Sequence, residues 1–173
     1  MTKKEDLRIR KTKANFYRAL SDLLKEKDFS NIKVIDICKK SNLNRSTFYD
    51  HFNDKNELLE SYLNYLGDDL INYLSDTSFK NNKDYYLEIT KLLLDYINKN
   101  INTFKSIYKN NSNLIYDMLY NATISVVAKN IDYQFNNFYI SGITRLCGDI
   151  ITKDNTNLKQ LLNDIANLLV NIN

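Results

Sequence analysis

The chain contains no proline and only three glycines, Gly67, Gly142 and Gly148, among its 173 residues. Proline breaks a helix, and glycine weakens one by about 1 kcal/mol, so their scarcity permits long uninterrupted helices. Strand-rich folds depend on frequent Gly/Pro turns, which this sequence almost entirely lacks. Hydrophobic residues make up 43% of the chain, enough for a buried core. The sequence therefore predicts an all-α fold.

Apolar side chains recur at helical spacing and predict about nine helices. The first two extend from about Leu7 to Lys25 and from about Lys33 to Lys40. A third begins after Asn44, a favourable N-cap, and a long fourth helix begins behind Asp54 and ends near Leu74. Five more helices are predicted over residues 84–98, 100–109, 113–130, 135–152 and 157–172.

Polarity and charge divide the chain into two parts. The polar stretch from Ser75 to Lys83 predicts a hinge between an N-terminal domain, residues 1–70, and a C-terminal domain, residues 71–173. Residues 1–60 hold 14 Lys/Arg against 10 Asp/Glu, whereas the remainder holds 10 against 11. A basic N-terminal part on a near-neutral body indicates a polyanionic partner at that end.

Several classes of protein are not indicated. No stretch approaches the roughly 20 apolar residues of a membrane span, and no apolar run near the N-terminus is typical of a secretion signal. We therefore expect a cytoplasmic protein that is not attached to a membrane. Cys38 and Cys147 lack metal-type spacing and are interpreted as reduced core thiols. Paired carboxylates, a Gly-rich phosphate loop and a nucleophile elbow are all missing from the sequence, so we expect neither an enzyme nor a cofactor.

Residues 33–52 have the pattern of a helix-turn-helix unit, in which two short helices follow a longer one. The turn between them contains Asn42, which readily accepts a left-handed backbone. In the third helix, predicted over residues 45–52, Phe48 and Phe52 lie four apart on the face that would anchor it. The opposite, polar face would then project outward into a DNA major groove.

The candidate DNA contacts are the polar side chains on and beside this helix: Lys33, Asn44, Arg45, Ser46, Thr47, Tyr49, Asp50, His51 and Lys55. Arg45 has the donor geometry to pair with guanine or phosphate. Free N–H groups at the helix start favour a phosphate near Ser46 and Thr47. Lys33 and Lys55 are expected to clamp the DNA backbone. Arg45 and Lys55 also fit as solvated surface charges, and Tyr49 and His51 as packing residues.

These residues resemble a known family. The run TFYDHFNDK over residues 47–55, preceded by VIDIC at residues 34–38, resembles the DNA-binding domain of the TetR family of bacterial regulators. Three departures stand out: Asp28 and Asn42 replace usual glycines, and Lys33 replaces a usual Thr or Ser. The segment over residues 138–143, FYISGI, resembles one Gram-positive subgroup, although LCG at residues 146–148 replaces its usual aromatic-basic pair.

The resemblance implies a transcriptional regulator, expected to be a repressor, that binds a palindromic double-stranded DNA operator as a homodimer. Apolar stripes on the last two predicted helices are broader than one small core requires and predict the dimer contact. These stripes comprise Phe138, Ile143, Leu146, Ile150, Leu158, Leu161, Leu162, Ile165, Leu168 and Leu169.

The resemblance also implies a small-molecule effector of unknown identity, bound in the C-terminal domain among residues 84–130. The candidate effector-binding residues are the aromatics of that region: Tyr85, Tyr96, Phe104, Tyr108, Tyr116 and Tyr120. For each of them, a core position at helical spacing is the default interpretation. The alternative function is a protein-docking adaptor or coactivator of the same fold with weakened DNA binding.

Overall fold

A computed structural model of the chain describes residues 3–75, 82–128 and 133–152, together with Gln160, Asp164 and Asn167. Within these residues there are seven α-helices and a short 3-10 turn, Phe29–Asn31, without any strand. The helices are α1 (Lys3–Glu26), α2 (Val34–Ser41), α3 (Arg45–Tyr49), α4 (Lys55–Ser75), α5 (Asn82–Lys99), α6 (Ile101–Val127) and α7 (Tyr133–Thr152). The predicted all-α class is confirmed.

Residue contacts divide the chain into two compact units, Met1–Asn64 and Tyr65–Asn173, and the boundary falls within α4. In the first unit, apolar faces of α1, α2, α3 and the beginning of α4 enclose one core. Its fully buried side chains are Phe16, Leu20, Leu24, Ile32, Ile37, Phe48, Leu58 and Leu59. Phe16, Leu20 and Leu24 lie on the buried face of α1, whereas Ile9 near the beginning of that helix is only half-buried.

In the second unit, the later part of α4 packs with α5, α6 and α7. Long aromatic side chains join these helices through their hydroxyls as well as their rings. The Tyr96 hydroxyl donates to the main-chain oxygen of Leu66 at 3.0 Å, and the Tyr139 hydroxyl donates to that of Tyr86 at 2.6 Å. Tyr139 also contacts the buried Thr90 hydroxyl. These bonds satisfy polar atoms that burial would otherwise leave unpaired.

The break predicted between residues 100–109 and 113–130 is present as a kink within α6. Two helical segments meet there at Asn111, whose backbone is non-helical (φ −139°, ψ 34°). The Asn111 side-chain amide donates to the main-chain oxygen of Ile107 at 3.5 Å, which compensates for part of the interrupted helical bonding. Most of the helix predicted over 157–172, and of the hinge at 75–83, lies outside the described residues.

Both cysteines are buried and unpaired, as expected for core thiols. Burial raises the pKa of Cys38 and of Cys147, which keeps both thiols protonated near neutral pH. None of the helices in the described part combines the length and apolar character needed to cross a bilayer. Over the same residues, no cluster of three or more His, Cys, Asp or Glu side chains is arranged to hold a metal ion.

Candidate nucleic-acid interface

Three phenylalanines fix α3 to α1 within the first unit. Phe16 from α1 contacts Phe48 and Phe52 edge-to-face, with ring centres 5.5 and 5.9 Å apart. Phe48 and Phe52 contact each other at 5.6 Å. None of the three rings is more than 2% exposed. The two residues that the sequence predicted as anchors therefore hold the inner face of α3, and its outer face remains uncovered by this cluster.

The turn before α3 is set by Asn42. Its backbone is left-handed, with φ 54° and ψ 39°, and it is the one non-glycine residue of the described part with positive φ. The N–H of Asn42 donates to the oxygen of Lys39 at 3.3 Å, and the N–H of Leu43 donates to the oxygen of Cys38 at 3.1 Å. This pair of bonds is the Schellman ending of a helix. The predicted left-handed turn is present, whereas Asp28 has an ordinary negative φ of −58°.

The beginning of α2 is held by Asp36. Its carboxylate accepts hydrogen bonds from Lys27 Nζ at 2.8 Å and from the Lys33 main-chain N–H at 3.0 Å. The Lys27 bond, followed by the Lys33 bond, lowers the pKa of Asp36. A second ion pair, Lys40 to Glu26 at 2.8 Å, also joins α2 to the end of α1. The Lys33 side chain itself is exposed, as a phosphate contact requires.

The outer face of α3 is largely open to solvent. Arg45, Ser46 and Asp50 are exposed, and 49% of Tyr49 is exposed despite its edge contact with Phe48. The Arg45 guanidinium lies 5.9 Å from the centre of the Tyr49 ring, one helical turn away. No described carboxylate forms an ion pair with Arg45. Its positive charge is therefore available to an external partner.

The remaining predicted contacts differ in accessibility. Asn44 precedes α3 at the N-cap position, but its side chain makes no capping hydrogen bond and is exposed. Thr47 and His51 are half-buried. Regular helix ends at Tyr49, earlier than predicted, yet the Phe52 N–H still donates to the Phe48 oxygen at 2.9 Å. The helical turn therefore continues far enough to bring Phe52 under Phe48.

Lys55 is engaged by the protein itself. Its Nζ donates to three main-chain oxygens, those of Phe29 at 3.0 Å, Ser30 at 3.1 Å and Ile32 at 2.9 Å. An ammonium group has three N–H donors, so this geometry uses them all. The same atom lies 4.7 Å from the centre of the Phe29 ring, and burial lowers the pKa of Lys55. This arrangement ties α4 to the 3-10 turn and argues against the predicted phosphate clamp.

Lys13 is a basic residue beside α3 that the sequence argument did not single out. Its Nζ lies 5.4 Å from the centre of the Phe52 ring. Lys13 precedes Phe16 by three residues on α1, and residues three apart share a helix face. This three-residue spacing from an anchoring phenylalanine was the sequence signal that could have identified Lys13.

The second unit contains a cavity of about 270 Å³ between α6 and α7. Of the six aromatics predicted to bind an effector, Tyr108 and Tyr116 line this cavity. Tyr120 stacks on Tyr116 with ring centres 6.0 Å apart. Tyr85, Tyr96 and Phe104 are buried in the core.

The apolar stripe predicted for α7 divides between two environments. Ile143 and Ile150 are buried within the chain, Leu146 is half-buried, and Phe138 is 75% exposed. A Cβ added to Gly142, one turn after Phe138, would meet no described atom within 4 Å. The leucines and isoleucine predicted for the same contact, at residues 158–169, lie outside the described residues.

Comparison with known proteins agrees with this geometry. Residues 16–62 match the profile of a family described as bacterial regulatory proteins, tetR family. The chain is 38% identical over 80 residues to the uncharacterized HTH-type transcriptional regulator YxbF of Bacillus subtilis (strain 168). That match covers 46% of this chain and only 21% of the relative.

Solved structures show a similar fold across nearly the whole chain. The dihydroxyacetone kinase operon activator DhaS is 24% identical, with a TM-score of 0.64 over 92% of this chain and 94% of that one. A TetR transcriptional regulator from Streptococcus agalactiae is 22% identical, with a TM-score of 0.62 over 95% and 97%. Salmonella enterica GusR is 15% identical, with a TM-score of 0.55 over 92% and 94%.

Proposed function

We propose, from the premise that this chain belongs to the TetR family of bacterial transcriptional regulators, that it represses transcription by binding a palindromic DNA operator as a homodimer. One observation carries the proposal. The buried cluster of Phe16, Phe48 and Phe52 holds α3 with its polar face outward. A short helix anchored in this way fits a major groove, which admits an α-helix. A bacterial regulator that binds chromosomal DNA would act in the cytoplasm.

On this proposal, α3 supplies the contacts that recognise sequence. Arg45 would pair with guanine or a phosphate, and Tyr49 would bond a phosphate or pack on a thymine methyl. Asn44 and Asp50, both exposed, would contact neighbouring groups, as would Ser46. The half-buried Thr47 and His51 would make contacts closer to the protein surface.

Basic residues around α3 would fix its orientation on the DNA backbone. Lys33 at the beginning of α2 and Lys13 on α1 are the proposed phosphate contacts, since phosphate contacts position a protein without specifying sequence. Lys55 is proposed as part of the scaffold, because three main-chain oxygens already occupy its donors.

Dimerisation would supply the affinity that one short helix lacks. Two copies related by a two-fold axis contact half-sites about 34–36 Å apart, one turn of DNA. The exposed Phe138 beside the open Gly142 makes this face of α7 the proposed site of the dimer contact. The C-terminal segment predicted from the sequence would complete it.

A small molecule would control the regulator from the second unit. A ligand shifts an equilibrium between DNA-binding and non-binding arrangements only if it binds one of them more tightly. The cavity lined by Tyr108 and Tyr116 is the proposed effector site, and Tyr120 supports it by stacking. The effector would release the protein from its operator.

Selection of bound fragments from a random DNA pool tests the proposal. We expect an inverted repeat with half-sites about one helical turn apart. The Arg45→Ala variant should bind the selected operator roughly 10- to 100-fold more weakly and lose its preference at one base position. Lys25→Ala is the matched control, since Lys25 is already paired with Asp22 at 2.9 Å. An output without any repeat would overturn the proposal.

Salt dependence separates this function from that of a protein-docking adaptor. Each phosphate contact releases counterions, so operator affinity should fall steeply as salt rises. An affinity for DNA that is weak and insensitive to salt would favour the adaptor.

A further inference from the structure

The cavity between α6 and α7 is distinguished by its polar lining. Its volume, about 270 Å³, lies just below the range of small-ligand sites, about 300–1,000 Å³. Six of the described lining residues carry polar side chains: Tyr108, Ser112, Asn113, Tyr116, Thr144 and Arg145. Ser112 and Asn113 directly follow the kink at Asn111, so the kink brings a polar part of α6 to the cavity. This composition fits a small polar molecule better than a purely apolar one.

Among the described lining residues, the charge of the cavity has one sign. Arg145 is the charged residue among the described lining residues, which include no carboxylate. No described carboxylate lies within ion-pair distance of Arg145. Asp117 and Asp149, the nearest acidic residues along α6 and α7, are exposed and do not line the cavity. Arg145 is exposed as well, so water screens its charge, but it would still attract a negatively charged group at the cavity and repel a cation.

The hydrogen-bonding groups favour an acceptor in the same way. An arginine has N–H donors and no acceptor, and the hydroxyls of Tyr108, Tyr116 and Ser112 can each donate. The Thr144 hydroxyl already donates to the main-chain oxygen of Ile140 at 2.6 Å. A carboxylate, with two acceptor oxygens, matches this set of donors.

Two features give the cavity a defined shape. A Cβ added to Gly148 would lie 2.7 Å from the Tyr108 hydroxyl oxygen, so glycine at this position lets the hydroxyl lie against α7. Tyr116 is held by stacking on Tyr120, with an angle of 17° between the rings. Beside it, the buried Ile115 and Leu119 add apolar surface. The site thus combines donors with a flat apolar wall.

We propose that this cavity binds a small organic carboxylate, with Arg145 and the Tyr108 hydroxyl on its carboxylate group and Tyr116 against its apolar body. The inference deepens the proposed effector control and rests on it for its regulatory meaning. Binding of the anion itself requires only the second unit's residues, so it is measured separately from DNA binding.

Three probes of nearly equal size test the charge assignment on the full chain: benzoate, benzyl alcohol and benzylamine. We expect benzoate at millimolar concentration to raise the thermal unfolding midpoint and to give a titration heat. The neutral alcohol should bind at least tenfold more weakly, and the amine should not bind. Equal binding of all three, or no binding of benzoate, would overturn the proposal.

Variants then assign the binding to the named residues. Arg145→Gln should weaken benzoate binding about tenfold or more, because it removes a charged hydrogen-bond donor. Gly148→Ala should also weaken it by displacing the Tyr108 hydroxyl, while alanine itself favours the helix. Lys109→Gln is the matched control, since this exposed lysine of α6 does not line the cavity. Unchanged binding by Arg145→Gln would overturn the assignment.

Operator binding in parallel distinguishes the two proposals. If benzoate binds but leaves operator affinity unchanged, the anion site is supported and its role in regulation is contradicted. If the protein binds the operator but does not bind benzoate, only the anion site is contradicted.

Discussion

Replacement of Lys55 by methionine tests whether this residue supports the fold or clamps DNA. Methionine keeps most of the apolar stem beside Phe29 and removes the ammonium group. Without that group, the oxygens of Ser30 and Ile32 lose the ammonium donor, and the Phe29 oxygen keeps its turn bond from the Ile32 N–H at 3.1 Å. The Ser30 oxygen lies in an exposed turn and can be hydrated, whereas the bonds to the other two are partly buried.

The magnitude follows from those two bonds. A hydrogen bond to a charged group contributes about 1.5–3 kcal/mol, and the ammonium-ring contact with Phe29 adds about 0.5–1 kcal/mol. The cost of partly burying the ammonium, which also lowers its pKa, offsets part of this sum. We therefore expect Lys55→Met to lower the free energy of unfolding by about 2–4 kcal/mol.

Urea unfolding of the full chain, followed by helical circular dichroism because the sequence has no tryptophan, measures this loss. Lys33→Met is the matched control, since its side chain is exposed and is proposed to contact phosphate. It should leave stability unchanged and make the dependence of operator affinity on salt shallower by about one unit. If Lys55→Met instead behaves like Lys33→Met, our assignment of Lys55 to the scaffold is wrong.

Three further outcomes follow from other parts of the structure. Phe52→Ala should lower the free energy of unfolding by about 3–5 kcal/mol, measured in urea, because it removes a ring from the buried phenylalanine cluster; a loss below about 1 kcal/mol would contradict that packing. Asn42→Ala should cost about 1 kcal/mol at the left-handed turn, whereas Asn42→Gly should be neutral or stabilising in the same assay. Phe138→Glu should convert the proposed dimer to a monomer in sedimentation velocity, while Tyr65→Glu, a change at another exposed aromatic, should not; a dimeric Phe138→Glu protein would move the interface elsewhere.

The parts of the fold that the sequence predicted are those determined by periodicity and by special backbone geometry. Phe48 and Phe52 lie four residues apart, a spacing that identifies the buried face of a helix without reference to the rest of the chain. Asn42 was identified because few residues other than glycine tolerate its left-handed conformation. The glycine that is usual in the family at the position of Asp28 suggested a special backbone conformation there. The structure shows an ordinary extended conformation at Asp28 instead.

The kink in α6 lies where the asparagine cluster predicted a break, and helix continues on both sides of it. A cluster of asparagines lowers helix propensity, but it does not forbid helical hydrogen bonds in the way that proline does. The Asn111 side chain donates to the Ile107 oxygen, so the kink leaves fewer main-chain oxygens without a donor than a complete end of the helix would. Composition alone could locate this weak point but could not say whether the axis bends or the helix ends.

Lys55 marks a different limit of sequence reasoning, because its role depends on acceptors that lie 23 to 26 residues away. A lysine at the beginning of a helix behind a helix-turn-helix has the reach and charge for a phosphate, and the sequence supports that interpretation. The same flexible side chain can turn inward when main-chain oxygens converge within its reach. The 3-10 turn and Ile32 directly after it present three such oxygens. Of these three, the Phe29 oxygen also accepts a turn bond, from the Ile32 N–H at 3.1 Å. Sequence identifies a donor, but the fold decides which acceptors it meets, and here they belong to the segment that connects α1 to α2.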